Sequence, residues 1–291
     1  MVSARVRRLQ VAFARERGLS CRRACALLKT TRSSLGYESR KELRDAELVV
    51  QLRALALRHP KYGYRFIHER LRRHGVVVNA KRVYRLWRLH GLGLPRRRIN
   101  KRIRKGMRRH VVAVVPNHVW ACDFVSDSME DQRKLRCLTL VDESTRECLA
   151  IEVQRRLRST DVVRVLDELV RRYGAPKHLR SDNGTEFKAA RVERWLYAHN
   201  VMPLYSDPGS PWQNGLVESF NGRFRDECLN AESFASLREA QLLVETWRRE
   251  YNEQRPHSSL EYRTPAEVGA CRALPLSANQ SAANQRMARV A

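Results

Sequence analysis

From Pro116 onward the sequence sets out three strand-length apolar runs in succession and then alternates helix with strand. That order limits the folds open to the chain more than any other feature. Trp120 to Val125, Leu135 to Val141 and Cys148 to Val153 read as strands joined by polar turns. A helix from about Thr160 to Tyr173, capped by Ser159 and stopped by Gly174-Ala175-Pro176, leads to a fourth strand at Lys177 to Ser181. A helix near Thr185 to His199, a fifth strand at Val201 to Tyr205 and a loop from Ser206 to Trp212 follow. The next helix bears Glu218 and runs to about Leu229, and a last long one spans roughly Leu237 to Tyr251. The expected class is α/β, a mixed five-stranded sheet flanked by helices.

Three acidic residues stand at informative places in this pattern. Asp123 lies inside the first strand, Asp182 opens the turn after the fourth, and Glu218 sits near the start of a helix, with 35 residues between it and Asp182. Carboxylates are hard oxygen ligands of the kind Mg²⁺ or Mn²⁺ prefers. Gathered in one pocket, three of them would raise one another's pKa unless cations sat between them. Two such ions about 3.5–4 Å apart can activate an attacking oxygen and steady a leaving one. Asp142 also ends a strand and is read as structural or as a support to the ligands, while Asp127 and Glu186 have only proximity in their favour.

The helix carrying Glu218 has two faces. Val217, Phe220, Phe224 and Cys228 form an apolar stripe suited to a sheet. Arg225 follows Glu218 by seven residues, and a helix drifts only about 20° over that interval, so the two share a face with Gly222 between them. One face would clamp the helix, and the other would offer a metal ligand beside a phosphate-binding cation.

Charge divides the chain. Its net charge is +26, and residues 1–115 hold 32 Lys and Arg against 6 Asp and Glu, while residues 116–291 are balanced at 25 of each. A basic arm beside a neutral, carboxylate-bearing domain points to a polyanion, most simply nucleic acid. No apolar run approaches a membrane span, and no signal peptide opens the chain. The seven scattered cysteines lack a Cys-x-x-Cys pair, which fits reduced core residues of a cytosolic protein.

Within the arm, residues 1–44 read as helical, a helix-turn-helix outline with Ser20 capping Cys21 to Leu28. Residues 45–94 repeat the outline more strongly. A helix marked by Leu48, Leu52, Leu55 and Leu57 ends near His59-Pro60, a second runs from Arg65 to His74 and closes at Gly75, and Asn79 caps a third from Ala80 to His90. That third helix turns Val83, Leu86, Trp87 and Leu89 toward a core, with Tyr84 also read as a core residue. Lys81, Arg82, Arg85 and Arg88 lie on the basic side, suited to DNA phosphates and guanine edges. Residues 95–115 form a cationic linker in which Arg96, Arg97 and Arg98 are candidate DNA contacts. The catalytic core is expected over 116–270, with 271–291 a disordered tail.

Several longer stretches carry a resemblance. Residues 120–127, 138–150, 180–187 and 213–229, with Tyr-Asn-Glu-Gln-Arg-Pro-His-Ser-Ser-Leu at 251–260 and Thr-Pro-Ala-Glu at 264–267, closely resemble the catalytic OrfB subunit of IS-three family insertion-sequence transposases. His59-Pro-Lys-Tyr-Gly-Tyr-Arg and Val78-Asn-Ala-Lys-Arg-Val-Tyr-Arg-Leu match that family's helix-turn-helix region. The resemblance implies a ribonuclease-H-like DDE core related to retroviral integrases, preceded by all-α helix-turn-helix modules. Asp123, Asp182 and Glu218 would hold two Mg²⁺ (or Mn²⁺) ions, Arg225 would grip DNA near the reacting end, and Asn183 would lie in the turn beside the second ligand, near DNA phosphate. The implied partners are double-stranded DNA, at element ends and target, a second copy of the chain, and an upstream-frame OrfA protein joined by frameshifting. The setting would be the bacterial cytoplasm, at the nucleoid, without a membrane. Two other readings stay open on the residues: a nuclease of the same fold that does not join ends, and a non-catalytic DNA-binding component or regulator.

Overall fold

A computed structural model describes residues 3–37, 41–94, 111–206 and 214–270. The chain divides into two compact units, Met1–Pro60 and Lys61–Ala291. The candidate contacts Arg96, Arg97 and Arg98, most of the linker, the loop up to Gln213 and the tail lie outside the described residues. Among the described residues no helix is long and apolar enough to cross a membrane.

The first unit is helical. Helix α1 (Ala4–Glu16) starts at Ser3, and α2 (Cys21–Leu27) starts at Ser20, whose hydroxyl accepts from the Arg23 N–H as its position predicts. A small core of Val11, Ala24 and Cys25 joins the pair. A single 3₁₀ turn, Arg32–Ser34, takes the place of the second helix of the helix-turn-helix outline. Helix α3 (Lys41–Arg58) buries Leu48 and Leu52, but Leu57 is 85% exposed. Leu57 stands in the final turn, where the chain is about to leave the helix at Pro60.

In the second unit, α4 (Tyr64–Arg73) and α5 (Ala80–Leu89) form a hairpin around Ile67, Leu71, Val83, Leu86 and Trp87. Asn79 Oδ1 accepts from the Lys81 N–H at 2.8 Å, and Gly75 takes φ +80°, a left-handed turn that favours glycine. Two expected core residues of α5 are exposed. Leu89 is 68% exposed in its last turn, and Tyr84 is 43% exposed with its ring tilted against Tyr64 at 4.8 Å.

The sheet comprises β1 (Val119–Ser128), β2 (Lys134–Asp142), β3 (Cys148–Gln154), β4 (His178–Ser181) and β5 (Met202–Tyr205), in the spatial order β3-β2-β1-β4-β5. The first three are antiparallel neighbours, while β4 runs parallel to β1 and β5 parallel to β4. Pro203, which has no N–H, is confined to the edge strand β5. Side chains alternate across the sheet. Trp120, Cys122, Leu138 and Leu140 therefore face α6 (Ser159–Tyr173) and α7 (Ala190–Ala198). Val125, Cys137 and Val141 face α8 (Gly215–Phe224) and α9 (Leu237–Glu253).

Three boundaries differ from expectation. Ser159 is the first residue of α6 and not its cap; the Asp161 carboxylate accepts from the Arg158 N–H instead, at 2.8 Å. Helix α7 begins only at Ala190, because Thr185–Ala189 form a turn that buries Phe187 against Phe124. The helix of Glu218 is α-helical to Phe224 and then widens into a π-turn, Arg225–Leu229. Asp142 is fully buried and accepts from the N–H groups of Asn117, Ser144 and Thr145, which is the structural role its strand-end position suggests.

The stripe Val217, Phe220, Phe224 and Cys228 is buried against the sheet and α9. Phe224→Ala should cost about 3–5 kcal/mol by the cavity it leaves, read from the midpoint of chemical denaturation at unchanged slope.

After α9, residues 255–264 lead to a short helix, α10 (Pro265–Gly269). His257 is buried there, and burial together with the cations of Arg255 and Arg223 lowers its pKa from 6.5 to about 3. A histidine held neutral must bind a proton on unfolding. Its share of stability is therefore full above the ordinary value and lost as pH falls toward the folded one. Stability should drop between pH 6.5 and about 3, and His257→Gln should flatten that acid limb in urea titrations.

Candidate active site

Asp123, Asp182 and Glu218 come from three separate elements. The alternation of β1 turns Asp123 to the α8 face, directly opposite Thr139 on β2. The parallel pairing of β4 with β1 brings the end of β4, and with it Asp182, alongside the same strand. Glu218 lies in the first turn of α8, whose buried stripe fixes the helix over β1 and β2.

Asp123 is the half-buried member, and Asp182 and Glu218 are exposed. Burial pushes the Asp123 carboxyl above its ordinary value, and the charges of Asp182 and Glu218 push the same way. The Phe124 N–H, donating at 2.8 Å, and the Asn221 side-chain amide, donating at 2.9 Å to Oδ2, oppose the rise. The three carboxylates thus share one electrostatic neighbourhood. Among the described residues no three His, Cys, Asp or Glu side chains are gathered closely enough to form a ready-made metal cage.

Asn221 escaped the sequence reading. It stands three residues after Glu218, almost one turn along α8, and is nearly buried. Its Oδ1 accepts from the Thr139 hydroxyl at 3.0 Å, which fixes the amide so that its N–H₂ points to Asp123. The signal was present in the spacing, since a polar residue one turn from a carboxylate on a packed helix has a buried neighbour to serve.

The turn after β4 is equally specific. The Gly184 N–H donates to Asp182 Oδ1 at 2.9 Å, and a Cβ on Gly184 would meet that same oxygen at 2.9 Å. Asn183 is exposed, and its amide donates at 2.6 Å to the Ser206 carbonyl, tying this turn to the end of β5. Beyond it, Glu186 pairs with Arg136 at 2.6 Å, and the Arg136 guanidinium lies 4.1 Å over the Phe124 ring. Glu186 is thereby engaged away from the triad.

Cys122 adjoins Asp123 but faces the opposite side of the sheet, where burial drives its thiol well above the ordinary range. Asp123, Asp182 and Glu218 themselves offer only oxygen donors, the kind that suits Mg²⁺ or Mn²⁺. Arg225 is exposed at the start of the π-turn, and its charge lowers the pKa of the Cys137 thiol, against the larger upward push of burial. On α5, Lys81, Arg85 and Arg88 are exposed and Arg82 is half-buried, so the basic side of this helix faces solvent as expected.

Two models described as "Integrase core domain" match residues 113–211 and 199–265, and one described as "HTH-like domain" matches residues 42–99. The chain is 40% identical over 252 residues to the 31.7 kDa protein of insertion element IS407 from Burkholderia multivorans, covering 87% of this chain and 91% of that one. It is 38% identical to the 39.2 kDa protein of insertion element IS476 from Xanthomonas euvesicatoria, covering 87% and 73%. The transposase InsD of insertion element IS2 from Escherichia coli is 27% identical over 236 residues, 77% of this chain and 78% of that one.

Gly184→Ala should leave secondary structure intact by circular dichroism while displacing the Asp182 carboxylate. The expected readout is an affinity for Mn²⁺ weakened by about tenfold, the scale for loss of a group that orients a ligand, measured by manganese relaxation enhancement.

Proposed function

This chain belongs to the insertion-element transposases that carry an integrase core domain, and we propose that its chemistry resides in Asp123, Asp182 and Glu218. In this reading the core cleaves DNA strands at the ends of the element and transfers them to target DNA. The observation that carries it is the electrostatic convergence of Asp182 and Glu218 on a partly buried Asp123 whose carboxylate is oriented by Asn221.

The oxygen-only donor set fits two Mg²⁺ or Mn²⁺ ions, held by the three carboxylates. Bound there, they would neutralise the scissile phosphate and lower the cost of charge on the attacking and leaving oxygens. The protein's own part is orientation. Asn221 and the Phe124 N–H fix both Asp123 oxygens, and the Gly184 N–H fixes one of Asp182. These groups favour the ionised carboxylates that burial and mutual repulsion oppose. Held in place beforehand, the site needs little rearrangement as charge moves on the phosphate.

Arg225 is assigned to DNA phosphate beside the site, on the strength of its exposed position seven residues beyond Glu218. Asn183 is assigned to the same backbone, and its bond to Ser206 supports the turn from which it would reach. Lys81, Arg82, Arg85 and Arg88 of α5 are assigned to DNA away from the chemistry, in a helix-turn-helix module over 45–94. Arg96, Arg97 and Arg98 are given the same role from sequence alone. The working assembly is proposed to be an oligomer of this chain with an upstream-frame protein, acting on DNA in the bacterial cytoplasm.

The test is incubation of the full chain with Mg²⁺ and a labelled duplex carrying the element's own end. Cleavage and joining are expected at that end. Asp182→Asn should reduce both by at least roughly a thousandfold, the scale for a group acting in the chemical step, with unchanged duplex binding. Cleavage without joining or end preference would favour a nuclease, and binding without chemistry, even with the upstream protein added, a regulator.

A further inference from the structure

The segment Tyr251-Asn-Glu-Gln-Arg-Pro-His257 has no place in the carboxylate chemistry, yet it holds one of the most heavily engaged cations among the described residues. Arg255 is buried, and its guanidinium makes a two-point ion pair with Glu227, Nε to Oε2 at 2.9 Å and Nη2 to Oε1 at 2.7 Å. Glu227 lies in the π-turn that continues the helix of Glu218. The same guanidinium stands 5.3 Å from the ring centroids of Tyr62 and Phe66 and 5.9 Å from that of Tyr251. Tyr62 and Phe66 belong to the start of the α4–α5 hairpin, and Tyr251 belongs to α9.

Further contacts flank this one. Arg70 of α4 donates to the Gln254 carbonyl and side chain at 3.4 and 3.3 Å. Arg73 makes a two-point pair with Glu267 at 2.8 and 2.9 Å and donates to the Tyr262 carbonyl at 2.9 Å. The Tyr262 ring meets Phe66 edge-on at 6.0 Å. Arg70 and Arg73 of α4 are thus engaged by residues 254–267, while Lys81, Arg85 and Arg88 of α5 are exposed.

We propose that Arg255 is a positioning residue that locks the basic hairpin α4–α5 to the helix bearing Glu218, so that DNA held by α5 meets the carboxylates at a fixed distance and angle. The chemistry of the contact supports this. A planar guanidinium can satisfy a carboxylate in its plane and aromatic faces above and below it at the same time, and an ammonium cannot. Because the pair is buried, removing either partner leaves an uncompensated charge, and the lock is strong only when complete. The π-turn is what turns Glu227 toward Arg255, since a widened turn shifts the side chains that follow it. The link to DNA rests on the transposase reading; the lock itself does not.

The experiment uses the full chain in two arms. In the first, hydrogen exchange is followed in Arg255→Lys, Glu227→Gln and Tyr62→Leu, the last altering only the hairpin side. Each should speed exchange of α4–α5 amides by about tenfold or more relative to wild type while β1 and β2 stay protected, as expected when one cooperative segment is released from another. Unchanged α4–α5 exchange in all three variants overturns the proposal, and so does equal loss of protection across β1 and β2 in Tyr62→Leu. In the second arm, Arg255→Lys is given Mg²⁺ and the element-end duplex. Binding should stay within about threefold while cleavage falls by about tenfold, since misplacement costs rate more than affinity. Cleavage equal to wild type overturns the positioning role. A wild-type chain with no cleavage, alone or with the upstream protein, would count against the transposase reading, and the exchange arm would still decide whether the lock exists.

Discussion

The parallel pairing of β4 with β1 is the constraint on which the site depends. A residue that ends a short strand emerges beside the longer parallel strand it pairs with, where the chain must turn and where ligands meet exposed backbone. Val119, Trp120 and Ala121 pair with His178, Leu179 and Arg180, so Asp182 leaves its strand beside Asp123. The pairing has its own support. Arg180 is buried, and its guanidinium lies 2.8 Å from Glu143, just beyond the end of β2. Trp120 and Leu179 share the hydrophobic layer beneath α6 and α7.

On the other face, helix α8 is held by apolar contacts and tuned by one polar set. Phe220 and Phe224 pack with Trp247 and Tyr251 of α9, and those rings fix the height of the helix over the sheet. Thr139 and Asn221 then form a buried polar bridge to Asp123, a place where a misplaced helix would leave unsatisfied groups. Packing sets the position of Glu218 coarsely, and the hydrogen bonds restrict its rotation. The same helix continues into the π-turn that carries Glu227, so one continuous element touches both the carboxylate neighbourhood and the α4–α5 hairpin through Arg255.

Much of this was legible in the residues. The strand runs, the stripe on α8 and the contexts of Asp123, Asp182 and Glu218 follow from local periodicity. Caps at Ser20 and Asn79 were equally plain, because a side chain that satisfies an N–H two or three residues away acts locally. The errors have a common cause. A local reading placed Leu89 and Tyr84 in the core, yet Leu89 stands in the last turn of α5, which projects past its neighbours, and Tyr84, in the middle of that helix, lies against Tyr64 at the surface. The onset of α7 was placed early because the turn 185–189 has helix-like composition, and Phe187 is drawn instead into the layer with Phe124. The turn at Asn183 was noted, but the closeness of Gly184 to Asp182 Oδ1 needs coordinates.

The sequence by itself determined the class of elements, their order, the division of charge and the three carboxylates. Those properties depend on side-chain chemistry and short-range spacing. Only the tertiary structure decided that Asn221 and Thr139 orient Asp123, that Glu186 is engaged by Arg136, and that Arg255 joins Glu227 to Tyr62 and Phe66. Each of these couples residues tens to nearly two hundred positions apart. No local pattern encodes such a pairing; strand register and helix docking create it, and the cost of burying an unpaired polar group then selects it.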